Sequence, residues 1–243
     1  MRVAMWSGPR NLSTAMMYSF AQRADFAVLD EPFYGPYLRL TGLDHPMRDV
    51  VLNDRKDDAV AVEQSLIGPI PEGKPNAYHK HMCQHMIDGI PRGFMSKGVN
   101  VFLIRHPARV VASFAKGYPD LTAADIGFTA QADLFAYVQT LGQTPVVIDS
   151  ADIRDDPEGM LRALCETIGL EFDPAMLFWP AGPKPYDGVW APHWYRSLHA
   201  TTGFAGPEGP LPEVSGHLAE LVEQTMPAYR MLEAKKISQI VKL

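Results

Sequence analysis

The residues with the most pointed chemistry sit in short polar breaks between apolar runs. Residues 2–6 form a largely apolar, strand-like run that breaks into Ser7-Gly8-Pro9-Arg10-Asn11 and gives way at Ser13-Thr14 to a helix-like pattern. Unpaired N–H groups at a helix N-terminus, the helix dipole, the Arg10 guanidinium and two hydroxyls together form an anion site. The plainer alternative is that Ser13 only caps the helix. A second cluster, VFLIRHPARVVASFAK, places Arg105 at a strand end, Pro107 at a helix start and Ser113 eight residues after the arginine. From there Arg105 reaches a phosphate from the strand tip while Ser113 donates from the helix. A third, NAYHKHMCQHM, holds His79, Lys80 and His81. An imidazole titrates near neutral pH and suits proton abstraction, so His81 is the first candidate base. Glu31, in the acidic tip Asp30-Glu31-Pro32, is its rival.

The elements that must position these groups follow from periodicity. Strands are expected at 2–6, 25–30, 76–81, 100–105 and 144–149, and helices at 13–22, from Pro107, at 155–168 and at 218–232. Strands alternating with helices imply an α/β fold, a three-layer αβα arrangement around a mostly parallel sheet. Ligands in such sheets lie beyond the carboxyl ends of the strands, here Ser7–Asn11, Asp30-Glu31, His81, Arg105 and Asp149. Residues 179–212 are rich in Pro and Gly without a clear period, and read as a long ordered loop beside the site. No repeat or linker interrupts the chain, so one domain over 1–243 is expected.

Composition narrows the partners. A net charge of −6 argues against general affinity for nucleic acid or anionic membrane, and no apolar run approaches transmembrane length. Two cysteines, Cys83 and Cys165, make no disulfide framework and suit a reducing cytoplasm. His79, His81, Cys83 and His85 alternate and would share one face of an extended strand, a spacing open to zinc but short of a complete metal signature. Nothing in the sequence sets an oligomeric state.

The three motifs, in order, resemble the PAPS-dependent sulfotransferases, a P-loop-type nucleotide-binding fold. Their first loop, P-K/R-S-G-[ST]-T, is similar to Pro9-Arg10-Asn11-Leu12-Ser13-Thr14, and their 3′-phosphate motif, R-x-P-x-x-x-x-x-S, is matched by Arg105, Pro107 and Ser113. VVIDSADIRDDPEGMLRALCETIGLEFDP resembles their strand–acidic turn–helix segment. The resemblance implies metal-independent, in-line transfer of a sulfuryl group from PAPS to a hydroxyl or amine of a small-molecule acceptor. It places Arg10 and the Ser13-Thr14 helix start on the leaving 5′-phosphate and Arg105 with Ser113 on the 3′-phosphate. His81 matches the histidine of a K-T-H segment, with Lys80 as a cation near the transferring group; some bacterial members use a carboxylate where Glu31 stands. The late loop offers Trp190, His193, Trp194 and Tyr195 for stacking, and Lys184 or Arg196 for a phosphate. Leu12 stands where most members carry glycine, and its Cβ disfavours φ > 0. Two other readings stay open: a P-loop kinase or nucleotide hydrolase, against which the missing Walker A lysine counts, and a non-catalytic nucleotide-binding protein.

Overall fold

The computed structural model describes residues 1–54 and 58–238. β1 (Arg2–Ser7), β2 (Phe26–Asp30), β3 (Asn76–Met82), β4 (Val99–Ile104) and β5 (Val146–Asp149) form a five-stranded sheet in the order β2-β3-β1-β4-β5. Each neighbouring pair runs parallel. The helices are α1 (Ser13–Ala21), α2 (Tyr34–Thr41), α3 (Arg48–Asp54), α4 (Ala59–Ile67), α5 (Pro107–Phe114), α6 (Ala123–Ile126), α7 (Phe128–Thr140), α8 (Ser150–Asp155), α9 (Pro157–Thr167), α10 (Ala191–Trp194), α11 (Arg196–His199) and α12 (His217–Glu233). Among the described residues, no helix is long and apolar enough to cross a membrane.

Side chains alternate across the strands and bury both faces of the sheet. Val3, Met5, Val101, Leu103, Val146 and Ile148 pack with α1 and α9 on one side. Ala4, Trp6, Phe102, Ile104 and Val147 pack with α5, α7 and α12 on the other. This is the expected three-layer αβα arrangement. The strand order reverses at β1, which has β3 on one side and β4 on the other, and a ligand crevice opens at the carboxyl ends of the strands at such a switch point.

Three expectations change in detail. The helix expected over 155–168 is α9, which starts only after Asp156 (φ −144°, ψ 87°), and a separate short helix, α8, precedes it. The ring of Pro157 pushes the preceding residue out of the helical region. The Asp156 side chain then caps the new helix by accepting from the Gly159 N–H at 2.9 Å. The loop at 179–212 is not wholly irregular, since it contains α10 and α11. The alternation of His79, His81, Cys83 and His85 does not persist on one strand face, because β3 ends at Met82 and Cys83–His85 turn as a short 3₁₀ helix.

Gly8 fixes how closely the first loop approaches α6. A Cβ there would lie 2.5 Å from the Ile126 carbonyl oxygen. Gly8→Ala should therefore destabilise the protein by about 1–3 kcal/mol, seen as a lower urea midpoint with an unchanged slope.

Candidate active site

The loop after β1 adopts a backbone that glycine would ordinarily supply. Arg10 has φ 60° and Leu12 has φ 69° with ψ 4°, both left-handed. The Cβ of Leu12 does not prevent this geometry; the loop holds it at a cost of about 1–2 kcal/mol per residue. Two long-range bonds fasten it. Asn11 is buried and its Nδ2 donates to the Leu103 carbonyl at 3.1 Å, and Arg105 Nη1 donates to the Arg10 carbonyl at 2.5 Å. Leu12, not Ser13, occupies the cap position of α1, and no side chain caps that helix. The capping alternative for Ser13 is thereby set aside, and the leading amides of α1 remain to bind an anion.

Arg10, Arg105 and Ser113 meet in space. Arg10 Nε donates to Ser113 Oγ at 3.0 Å, joining the first loop to α5. Burial, and then the neighbouring Arg105, pull the Arg10 guanidinium below its usual value. Two like charges held this close, beside an uncapped helix start, make a site suited to a phosphate.

A second cluster lies at the tips of β2 and β3. Lys80 Nζ donates to Asp30 Oδ1 at 2.9 Å, to Glu31 Oε1 at 2.5 Å and to the Tyr195 hydroxyl at 2.6 Å. The side chains of Lys80 and Asp30 are 1% and 0% exposed, while Glu31 keeps 11%. Burial opposes the Lys80 ammonium, but Asp30 and Glu31 outweigh it and hold Lys80 above its usual range. Burial raises Asp30 against the pull of Lys80. Two carboxylates therefore share one ammonium, and Glu31 is the one that reaches the cavity.

That cavity, of about 630 Å³, is lined by Pro9, Arg10, Asn11, Leu12, Ser13 and Thr14, by Arg105 and Ser113, and by Glu31 and Lys80. Its far wall is aromatic, with Tyr34, Tyr37, His85, Tyr118 and Trp194. The His85 ring stacks on Tyr34 at 4.9 Å and on Tyr37 at 4.7 Å, and Tyr118 stacks on Trp194 at 5.5 Å. FYGPYL carried the signal for Tyr34 and Tyr37, three residues apart on one helical face; the positions of His45 and Tyr118 on the wall had none.

Several expected site residues lie elsewhere. His81 does not line the cavity. Register pairs Lys80 with Met5 and His81 with Trp6, so successive side chains of β3 point to opposite faces. Lys80 faces the cavity side, and His81 stacks on Trp6 at 4.4 Å with Phe94 and Phe33 nearby. Trp190 is fully buried in a satellite core and Arg196 bonds the Pro192 carbonyl; neither lines the cavity. Lys184 reaches the Pro180 carbonyl at 2.6 Å rather than a phosphate position. Tyr195 lines the cavity, but its hydroxyl is committed to Lys80 and Asp30.

A family model described as a sulfotransferase domain matches residues 1–236. The chain belongs to the sulfotransferase family. Two relatives from Arabidopsis thaliana are named "Branched-chain-amino-acid aminotransferase-like protein" 1 and 2. The first is 39% identical over 230 residues, covering 94% of this chain and 41% of that protein. The second is 38% identical over 227 residues, covering 93% and 40%. The chain thus spans about two-fifths of the length of the curated relatives it matches. Among solved structures, the sulfotransferase domain of the Synechococcus PCC 7002 olefin synthase is 18% identical with a TM-score of 0.48, covering 93% of this chain and 94% of that one. A sulfotransferase from Alicyclobacillus acidocaldarius is 13% identical with a TM-score of 0.48, covering 95% and 94%.

The buried histidines of this sulfotransferase-family chain carry a pH signature. Burial, and then Arg2, lower His79 to about 4, and burial also lowers His81 and His85 well below the usual value. Unfolding lets each return to about 6.5, so the unfolded chain binds more protons below that pH. Stability should fall as pH drops from about 6.5 toward 4, by up to about 1.4 kcal/mol per pH unit for each histidine. Urea unfolding at pH 7.5, 6.5 and 5.5 measures the slope, and His81→Phe should flatten it.

Proposed function

We propose that the cavity transfers a sulfuryl group from PAPS to the hydroxyl or amine of a small-molecule acceptor. The observation that carries this reading is one shared cavity. The Arg10 loop with Arg105 and Ser113 opens onto the same space as the Glu31 carboxylate. An anionic donor and a proton-losing acceptor need those two chemistries within one molecule's reach of each other.

In this mechanism Arg10 and the leading amides of α1 hold the 5′-phosphate, where negative charge grows as it leaves. Arg105 and Ser113 hold the 3′-phosphate. Glu31 takes the proton as the acceptor oxygen or nitrogen attacks sulfur in line; the S–O bond to the 5′-phosphate breaks, and adenosine 3′,5′-bisphosphate departs. Lys80 orients Glu31 through the 2.5 Å contact. His81 drops out as the base because its ring lies among Trp6, Phe33 and Phe94. The aromatic wall of Tyr34, Tyr37 and Trp194 supports a ring-bearing or apolar acceptor. Aminotransferase chemistry of the kind the plant names suggest would need an unprotonated amine. Lys80, the one lysine on the cavity wall among the described residues, is held protonated by Asp30 and Glu31.

Calorimetric titration tests the class: adenosine 3′,5′-bisphosphate should bind, and ATP with magnesium should not. Arg105→Ala should weaken PAPS far more than adenosine 5′-phosphosulfate, and equal losses would remove Arg105 from the 3′-phosphate. Glu31→Gln should lower turnover by about 10²–10⁴-fold while bisphosphate affinity holds within a few-fold. His81→Phe should keep most of the turnover; a collapse there with Glu31→Gln active would return the base role to His81.

A further inference from the structure

Residues 205–211, Ala-Gly-Pro-Glu-Gly-Pro-Leu, cross the surface beside the Arg10 loop with every residue except Glu208 exposed. Three arginines fasten this segment, Arg105 and Arg109 at the start of α5 and Arg154 in α8. The Glu208 carboxylate, 3% exposed, pairs with Arg105, with Arg154 at 2.8 Å and with Arg109 at 2.8 Å. Arg154 Nε also donates to the Gly206 carbonyl at 2.8 Å, and Arg109 donates to the Gly209 carbonyl. Gly206 and Gly209 have open space at their Cβ positions.

Arg105 belongs to both neighbourhoods. Its Nη1 is taken by the Arg10 carbonyl and its Nη2 by Glu208, and its buried Nε has no partner. The guanidinium fork that would grip a phosphate is therefore already engaged, at one of its two terminal nitrogens by a carboxylate. A phosphate and Glu208 compete for the same donor, and their charges repel each other across a partly buried site. Three arginines facing one carboxylate leave a formal excess of two positive charges, the complement of a phosphate dianion.

We propose that Glu208 is a built-in competitor for the phosphate subsite at Arg105, and that binding of a 3′-phosphate releases the 205–211 strap. The inference rests on the donor reading above and adds a regulatory step to it. The strap closes over the arginines when no nucleotide is bound and yields them when a nucleotide with a second phosphate arrives. Adenosine 5′-monophosphate, lacking the 3′-phosphate, leaves the strap fastened. Discrimination between the two nucleotides is then partly a matter of which one can displace Glu208.

A nitroxide on Leu211→Cys reports the strap directly, because Leu211 is half exposed and the native Cys83 and Cys165 are both buried. In the labelled protein, adenosine 3′,5′-bisphosphate should increase label mobility and adenosine 5′-monophosphate should not. Adding Glu208→Gln should free the label without any nucleotide and tighten bisphosphate binding by about tenfold, with 5′-monophosphate affinity unchanged. An equally immobile label in unliganded Glu208→Gln overturns the strap whatever the nucleotide result. Bisphosphate that binds without mobilising the label, or binds Glu208→Gln no more tightly, overturns the competition. A label freed by Glu208→Gln while neither protein binds bisphosphate means that the donor reading has failed and the competition with it.

Discussion

Lys80 places an ammonium group at the interior edge of the sheet, and withdrawing that charge from water is costly unless carboxylates and hydrogen bonds replace its hydration. Asp30 and Glu31 at the tip of β2 and the Tyr195 hydroxyl from the late loop fill that role. The constraint spreads outward from there. Asp30 also accepts from the Gly188 N–H at 3.0 Å, and Glu31 adopts φ 39° to present its side chain. Gly188 has no room for a Cβ, which would sit 2.2 Å from the Trp190 ring. A charged group thus draws the loop across the sheet edge and fixes one wall of the cavity. The net contribution of such a cluster to stability is small, but removing one member leaves an uncompensated charge, so its members are mutually dependent.

The Arg10 loop obeys a complementary logic. Its two left-handed residues raise the energy of the loop, and two bonds hold it there: its own Asn11 donates to the Leu103 carbonyl of β4, and Arg105, just beyond β4, donates to the Arg10 carbonyl. Strain of this kind persists where surrounding bonds over-determine the backbone, as is common at sites that must be preorganised. Arg10 and Arg105 bring two positive charges together before any ligand arrives, and an anion relieves their repulsion. One side of the cavity gathers positive charge and the other balances it internally, which gives the space a direction.

Much of this was legible in the sequence. The five strands, the helices α1, α5, α9 and α12 and the layer arrangement follow from apolar period, while the shorter helices and α7 were not read; the polar tips of the strands named the first loop, Arg105, Glu31 and Lys80, and the motif after Arg105 named Ser113. The choice of His81 over Glu31 turned on a single residue of register: β3 alternates, so the side chain that faces the cavity is Lys80 and its neighbour faces the core. Residue type suggested a base, and only pairing with β1 shows which way it points. Leu12 was read against its backbone preference, which bonds from distant residues override. Glu208 gave no signal, because its arginine partners lie about 50 to 100 residues away and its own neighbours are Gly and Pro.

The order of the sheet carries one more consequence. β1 and β2 are never hydrogen-bonded to each other; β3 is inserted between them. The Arg10 loop extends from β1 and Glu31 from β2, so the width of one intervening strand sets the gap between them. Two strand spacings amount to about 10 Å. β3 therefore serves as a molecular spacer. A substitution that thins or shifts it would change the distance between two chemical functions while leaving every residue of both intact.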